Sequence, residues 1–201
     1  MSSSVGYRHY LIEADDELFV LRLASTTTSP EADDATELEV ARAAAAAGVA
    51  PEVVTSLPSL ACLVTRFAEG RRLEPMDLDD DETLASLVGS VRALHACPTP
   101  LTELSSFPDA PTSARGRPLV TSHGNLTRER LVLDGERIWI VDYRWAGAAH
   151  PYRDLARLAD DLGLSEERTE AMLELYLGSV DDEALMLVRR MRATADDAFN
   201  R

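Results

Sequence analysis

A short hairpin constrains the fold of this chain more than any other feature of its sequence. Two apolar runs, at residues 131–133 and 138–141, flank the dipeptide Asp134-Gly135, which is a strong signal for a tight turn between antiparallel strands. A polar loop precedes the first run, and Asp142 follows the second. The hairpin therefore predicts that this loop and Asp142 lie close together, as polar groups do in many functional sites.

The first third of the chain has the pattern of strands with one helix. Branched and aromatic residues cluster in short runs separated by turn residues, and an alanine-rich segment ends at Gly48. The pattern predicts strands at residues 6–12, 17–24, 52–57 and 60–67, and a helix at residues 35–47.

The remainder is predicted to be mainly helical around the central hairpin. Apolar spacing and helix-start residues predict helices at residues 79–95, 151–159, 165–177 and 181–198. An exposed segment at residues 69–75 marks a lobe boundary, and a proline-rich irregular stretch covers residues 97–117. We expect an α+β fold in one compact unit, with a β-rich lobe and hinge at residues 1–70 and a mainly helical lobe at residues 71–201.

Composition excludes several classes of function. The chain has 201 residues, 45% of them hydrophobic, and a net charge of −15, which argues against nucleic acid and anionic membranes as partners. No apolar run is long enough to span a membrane and the N-terminus does not resemble a signal peptide, so a cytoplasmic location is the expectation. All 20 basic residues are arginines, which excludes mechanisms that need a lysine amine. Cys62 and Cys97 are predicted to be free buried thiols.

Several segments, in the right chain order, resemble the aminoglycoside phosphotransferase and choline kinase superfamily. The match lies in the sequences Val20-Leu21-Arg22-Leu23, His123-Gly124-Asn125-Leu126 and Val141-Asp142-Tyr143, and in residues 35–51, 63–70 and 150–156. The resemblance implies a protein-kinase-like fold of two lobes: a small β-rich lobe with one helix, and a reduced, mainly helical lobe that contains a β-hairpin.

The resemblance also implies a site for ATP and Mg²⁺. Arg22 stands where the family places the cation that grips the phosphates, and Glu37 where it places the glutamate that pairs with this cation. Arg66 and Phe67 lie in the hinge segment, whose backbone hydrogen-bonds adenine in the family. Asp142 corresponds to a carboxylate that binds magnesium.

Two residues of the loop depart from the family pattern H-G-D-x-x-x-x-N. Asn125 stands at the position of the catalytic aspartate, and its amide cannot take a proton from a hydroxyl. Arg130 stands at the position of the metal-binding asparagine and cannot coordinate a cation. Asp142 is then predicted either to hold magnesium with the nucleotide phosphates or to form an ion pair with Arg130. His123 is predicted to be structural.

These exchanges predict a degenerate family member without phosphotransferase activity. The chain would act as a binding scaffold, a regulator or a subunit of an enzyme complex, with a protein partner or a second copy. It begins almost at the second strand of the expected lobe, so the glycine-rich phosphate loop is predicted to be absent or reduced to Gly6.

The alternative function is an active phosphotransferase that acts on a small-molecule or peptide hydroxyl. This enzyme would use ATP, with magnesium on Asp142 and phosphate charge balanced by Arg22, Arg128 or Arg130. A hydrolase triad of Ser122, His123 and Asp142 is disfavoured, because adjacent residues in extended chain point in opposite directions.

Overall fold

A four-stranded antiparallel sheet forms the N-terminal part of the molecule. The computed structural model describes residues 7–24, 34–98, 100, 104, 118–179 and 182–199. The sheet has the strand order β1-β2-β4-β3 and consists of β1 (Tyr7–Ala14), β2 (Glu17–Ala24), β3 (Val53–Leu57) and β4 (Cys62–Arg66). Its predicted strands are confirmed to within two residues at each end.

Register places the two key side chains of this sheet next to each other. His9 on β1 lies opposite Arg22 on β2, so both side chains point to the same face. Asp15 and Asp16 connect the strands, and both have positive φ, at 52° and 62°. Two consecutive positive φ angles match the twist of a two-residue hairpin.

Helix α1 (Asp34–Ala46) follows β2 and precedes β3 in sequence. The chain turns after it at Gly48, whose φ is +78°. The backbone N–H of Ile140 then donates to the carbonyl of Val49 at 2.8 Å, and Arg137 donates to the carbonyl of Gly48 at 2.6 Å. These bonds fix the central hairpin against the segment after α1.

The central hairpin is present as predicted and belongs to a second sheet. Its strands are β7 (Leu131–Asp134) and β8 (Arg137–Ile140), and the short strand β5 (Arg71–Arg72) pairs with β7. Leu131 and Ile140 face each other across the hairpin and are fully buried. Burial of this face holds the polar loop before β7 against the core.

Two pairings were not foreseen from the sequence. Strand β5 pairs with β7 within the segment 69–75 that was predicted to be exposed, and Leu73 of that segment is fully buried. Strand β6 (Val120–Ser122) pairs antiparallel with β9 (Gly147–Ala149), although the pattern predicts the loop to begin at Ser122. The prediction was wrong there because each strand has only three residues and no turn signal connects them. In sequence, the polar loop and the central hairpin lie between these two paired strands.

After α1, the described residues contain four further α-helices. They are α2 (Asp81–His95), α3 (Tyr152–Asp161), α4 (Glu166–Leu177) and α5 (Asp182–Phe199), and they agree with the predicted helices to within about two residues. The apolar stripe of α2 is buried as its spacing predicts, at Leu84, Leu87, Val88, Val91 and Leu94. Helix α3 packs on α5, and α2 packs on α4.

The α+β class is therefore confirmed, while the lobe boundary at residue 70 stays a prediction. Most of the proline-rich stretch at residues 97–117, and Gly6, lie outside the described residues. Both cysteines are buried free thiols. Within the described part of the chain, none of the helices combines the length and the apolar character that a membrane span requires.

Candidate functional site

A cleft of about 320 Å³ separates the four-stranded sheet from the central hairpin. Side chains of β1, β2, α1 and β4 line one side, and residues before and after the hairpin line the other. The structure brings six of the predicted site residues to this cleft: Arg22, Glu37, Arg66, Phe67, Arg130 and Asp142. Their roles in ligand binding stay predictions.

A buried ion pair joins the sheet to α1 at the inner end of the cleft. Arg22 donates to a carboxylate oxygen of Glu37, and the two side chains are 8% and 3% exposed. The guanidinium carbon of Arg22 also lies 4.4 Å from the centre of the Tyr7 ring. The predicted pairing of Arg22 with Glu37 is therefore made, and it aligns a cation with the cleft.

Asp154 organises the loop that forms the floor of the cleft. Its carboxylate accepts hydrogen bonds from the backbone N–H groups of His123 and Gly124, at 2.8 and 3.1 Å. It also accepts a bond from Nε2 of His95 at 3.1 Å. Burial by itself would raise the pKa of Asp154, but the bond and charge of His95, with a smaller contribution from His123, hold the pKa below its usual value.

Sequence reasoning missed this role of Asp154 and His95. Asp154 belongs to the segment at residues 150–156 that resembles the family. No sequence spacing connects it with His95, which lies 59 positions earlier. The sequence of α3 does contain one indication of this role. Asp154 lies on the buried face of the helix, and a buried carboxylate requires hydrogen-bond or charge partners.

His123 serves the shape of the loop. Its Nε2 lies 3.0 Å from the carbonyl oxygen of Val141, and a carbonyl can only accept, so Nε2 carries a proton. Burial lowers the pKa of His123, although the charges of Asp154 and Asp142 oppose the shift. A neutral, fully buried imidazole that donates to the backbone fits the predicted structural role and does not form a hydrolase triad.

Gly124 permits a close approach between the loop and the segment after Asp142. Its φ is +80°, and a Cβ atom added there would lie 1.9 Å from the carbonyl oxygen of Trp145. Neither the conformation nor the contact admits a side chain. Glycine at this position therefore fixes the distance between the loop and the chain that carries Asp142.

Asn125 is held by the helix that follows the hairpin. Its Oδ1 accepts a hydrogen bond of 3.3 Å from Nε of Arg157 on α3. The amide therefore presents its oxygen to a cation, while the NH₂ group can only donate. No atom of the side chain can act as a base toward a hydroxyl at neutral pH.

Arg130 and Asp142 approach each other at the outer end of the loop. Nε of Arg130 lies 3.3 Å from Oδ2 of Asp142, within ion-pair distance but not aligned as a hydrogen bond. Nη1 of Arg130 donates to the hydroxyl of Thr127 at 2.5 Å, which fixes the guanidinium. Asp142 has a φ of +66°, an uncommon conformation for a residue other than glycine. Of the two predicted alternatives for Asp142, the geometry contains the ion pair.

The oxygen donors near Asp142 do not fit magnesium. This ion requires about six oxygen ligands in near-octahedral geometry, and proteins usually supply one or two carboxylates with the phosphates. Here the guanidinium of Arg130 lies against Asp142, and the amide oxygen of Asn125 is engaged by Arg157. The described residues contain no group of three or more histidines, cysteines or carboxylates that could hold a metal ion.

Comparisons with known proteins identify the family and the fold of this chain. The sequence model of the phosphotransferase enzyme family, APH, matches residues 2–116, more than half of the chain. The chain therefore belongs to this phosphotransferase family, and its fold is that of choline kinases and aminoglycoside phosphotransferases. No curated protein matches the sequence.

Solved structures show the same fold at low sequence identity. Choline kinase LicA from Streptococcus pneumoniae has a TM-score of 0.74 and 14% identity, covering 92% of this chain and 78% of its own. An aminoglycoside-3'-phosphotransferase of type VIII has a TM-score of 0.62 and 21% identity, covering 95% and 90%. Amicoumacin kinase hAmiN, in complex with AMP-PNP, Ca²⁺ and amicoumacin, has a TM-score of 0.69 and 12% identity, covering 96% and 79%. The protein-kinase-like fold expected from the sequence is confirmed.

Proposed function

We propose that this chain is a pseudokinase, which binds ligands in the phosphotransferase cleft but does not transfer a phosphoryl group. The observation that carries the proposal is the side chain of Asn125. It stands at the position of the family's base, and its oxygen accepts from Arg157 at 3.3 Å. A general base contributes about 100-fold or more to transfer, and an amide cannot supply it.

The position of the metal-binding asparagine supports the same proposal. Arg130 brings a guanidinium to 3.3 Å from Asp142, where a kinase would hold a cation. Phosphoryl transfer relies on metal ions that bridge the phosphates and neutralise the charge that develops on them. ATP or a related nucleotide is the ligand proposed for the cleft, and its magnesium is not part of the proposal.

We also propose that the chain acts in the cytoplasm through association with a protein partner or with a second copy of itself. The four-stranded sheet exposes apolar side chains that such a partner could cover, since Leu11 is 61% exposed and Leu57 is 47% exposed. The chain would then act as a scaffold, a regulator or a subunit of an enzyme complex. Light scattering on the purified protein, alone and with candidate partners, measures this association.

Phosphorus NMR of ATP tests the absence of transfer directly. The protein is incubated with ATP and Mg²⁺, with choline or an aminoglycoside added as acceptor because kinases of these classes share the fold. We expect no ADP above the level of a sample without protein. Steady ADP formation that disappears in Asp142→Asn would overturn the proposal.

An active phosphotransferase is the second candidate, and one observation favours it. The pair of Arg22 and Glu37, which aligns the phosphate-gripping cation, is intact and buried, and Asp142 faces the same cleft. The transition state of phosphoryl transfer is loose, so positioning alone can supply much of the rate. The same NMR experiment separates the candidates, because this enzyme would form ADP only with magnesium.

A further inference from the structure

We propose that the cleft binds an oligophosphate without a divalent metal, and that Arg22, Arg130 and Arg144 supply the positive charge. This inference rests on the proposed function, since it names the ligand of a cleft that binds without transfer. Three observations carry it. Arg22 has donors without a hydrogen-bond partner among the described residues, Arg144 forms no ion pair with a described residue, and the guanidinium of Arg130 lies beside Asp142.

Arg22 offers hydrogen-bond donors that the folded protein does not use. Only 7% of the residue is exposed, and one of its nitrogens bonds Glu37. Its Nε and Nη1 atoms are buried without a hydrogen-bond partner in the described part of the chain. A buried N–H group without a partner is unfavourable, so a ligand oxygen that accepts from Arg22 would be stabilising.

Arg144 adds a second guanidinium beside the same aromatic ring. Its Cζ atom lies 5.2 Å from the centre of the Tyr7 ring, and that of Arg22 lies 4.4 Å away. Arg144 forms no ion pair with any described residue, and its Nε atom is buried without a hydrogen bond. Two guanidinium groups on one ring, in a protein of net charge −15, indicate local recognition of an anion.

His9 belongs to the same cleft. It lines the cleft opposite Arg22, and burial lowers its pKa. Arg22 and Arg144 lower this pKa further, while the carboxylate of Asp142 opposes them. Arg22 and Asp142 line the cleft together with His9, and Arg144 lies over the same Tyr7 ring as Arg22.

Arg130 completes the site by replacing the metal. The Arg130 side chain is 14% exposed, and its guanidinium lies against Asp142, as a bound cation would, and donates to the hydroxyl of Thr127. Guanidinium groups bind phosphate oxygens through two parallel hydrogen bonds. A phosphate chain that reaches this point meets a fixed positive charge, so it has no need of magnesium, and a metal carried by the ligand meets repulsion.

Electron paramagnetic resonance of Mn²⁺ tests the absence of metal, because Mn²⁺ binds the same oxygen ligands as Mg²⁺. Protein is added to a solution in which ADP holds most of the Mn²⁺. We expect the signal of free Mn²⁺ to rise, since the protein withdraws ADP without its metal. A signal that falls or does not change overturns the inference. The variant Arg130→Asn restores an amide oxygen beside Asp142. With this variant, the signal of free Mn²⁺ should fall.

A parallel titration uses tripolyphosphate in place of ADP. Release of Mn²⁺ from both ligands assigns recognition to the phosphate chain, and release from ADP alone assigns it to a nucleotide; either result supports a metal-free site. Calorimetry in EDTA then measures the role of Arg144. We expect Arg144→Gln to weaken ADP binding about tenfold, whereas the matched control Arg189→Gln, at an exposed position of α5, leaves the affinity unchanged. Equal affinities in the two variants would contradict the role of Arg144.

These measurements fail independently of the proposed function. If ADP binds only with metal, the inference is wrong, but the absence of transfer in the NMR experiment stands. If the NMR experiment shows transfer, the proposed function is wrong, whatever the metal dependence of binding.

Discussion

Two parts of one loop differ in what they keep of a phosphotransferase. The buried part, around Asp154, retains a full set of hydrogen bonds to His95 and to the backbone of His123 and Gly124. The open part has an amide at Asn125, which cannot take a proton from a hydroxyl, and a guanidinium at Arg130, which cannot coordinate a metal. From this comparison we infer that the shape of the loop and its chemistry depend on different residues.

Gly124→Ala should have the largest effect on stability, because it changes the shape of the loop directly. A Cβ atom would lie 1.9 Å from the carbonyl oxygen of Trp145, at a φ of +80°. We expect a loss of at least about 4 kcal/mol in the free energy of unfolding, measured in denaturant. In the control Gly89→Ala, an exposed helix position has no atom within 4 Å, and alanine should stabilise by up to about 1 kcal/mol. Equal losses in the two variants would contradict the account.

Asp154→Asn should follow, with a loss of about 3 kcal/mol. The substitution removes a buried charge that His95 supports, and it turns one acceptor into a donor that faces backbone N–H groups. Denaturant unfolding measures the change. The exposed Asp79→Asn is the control and should change stability by less than about 0.5 kcal/mol. A small loss in Asp154→Asn would mean that the loop does not depend on this carboxylate.

Acid should weaken the buried part through His123. Burial lowers the pKa of His123 below its unfolded value of 6.5, so the unfolded chain binds the proton more readily. Stability contributed by the neutral ring is present above pH 6.5 and declines as the pH falls through 6.5 toward the folded pKa. Unfolding free energies at about pH 7.5 and about pH 5.5 should show this decline, and His123→Asn should reduce it. The contribution of Asp154, whose pKa lies below 3.8, is lost only in stronger acid.

Asn125→Ala should have the smallest effect on stability. Among the described residues, its side chain has one hydrogen bond, which Arg157 donates over 3.3 Å in a half-buried place. We expect a loss of less than about 1 kcal/mol in denaturant unfolding. A loss as large as that in Asp154→Asn would show that Asn125 was retained to hold the loop, and would remove the distinction between its two parts.

Much of this fold can be predicted from sequence because its signals are local. The Asp134-Gly135 turn and the apolar stripe of α2 each determine an element without help from distant residues. The resemblance then places Arg22 and Glu37 in one site, which periodicity alone cannot do.

What could not be predicted depends on contacts between distant segments. The pairing of β6 with β9 and the bond from His95 to Asp154 join segments that no short pattern relates. The same holds for Arg157, which reaches Asn125 only because α3 packs beside the loop. The positive φ of Asp142 likewise follows from its surroundings, since aspartate rarely adopts it in isolation.

The double variant Asn125→Asp, Arg130→Asn tests the central claim most directly, because it restores both reactive positions and leaves the buried part intact. The measurement is its unfolding free energy beside that of the natural chain, in the same denaturant and buffer. If shape and chemistry depend on different residues, the two values should agree within about 1.5 kcal/mol. A loss of about 3 kcal/mol or more would contradict the account, because it would show that Asn125 and Arg130 hold the loop in its fold.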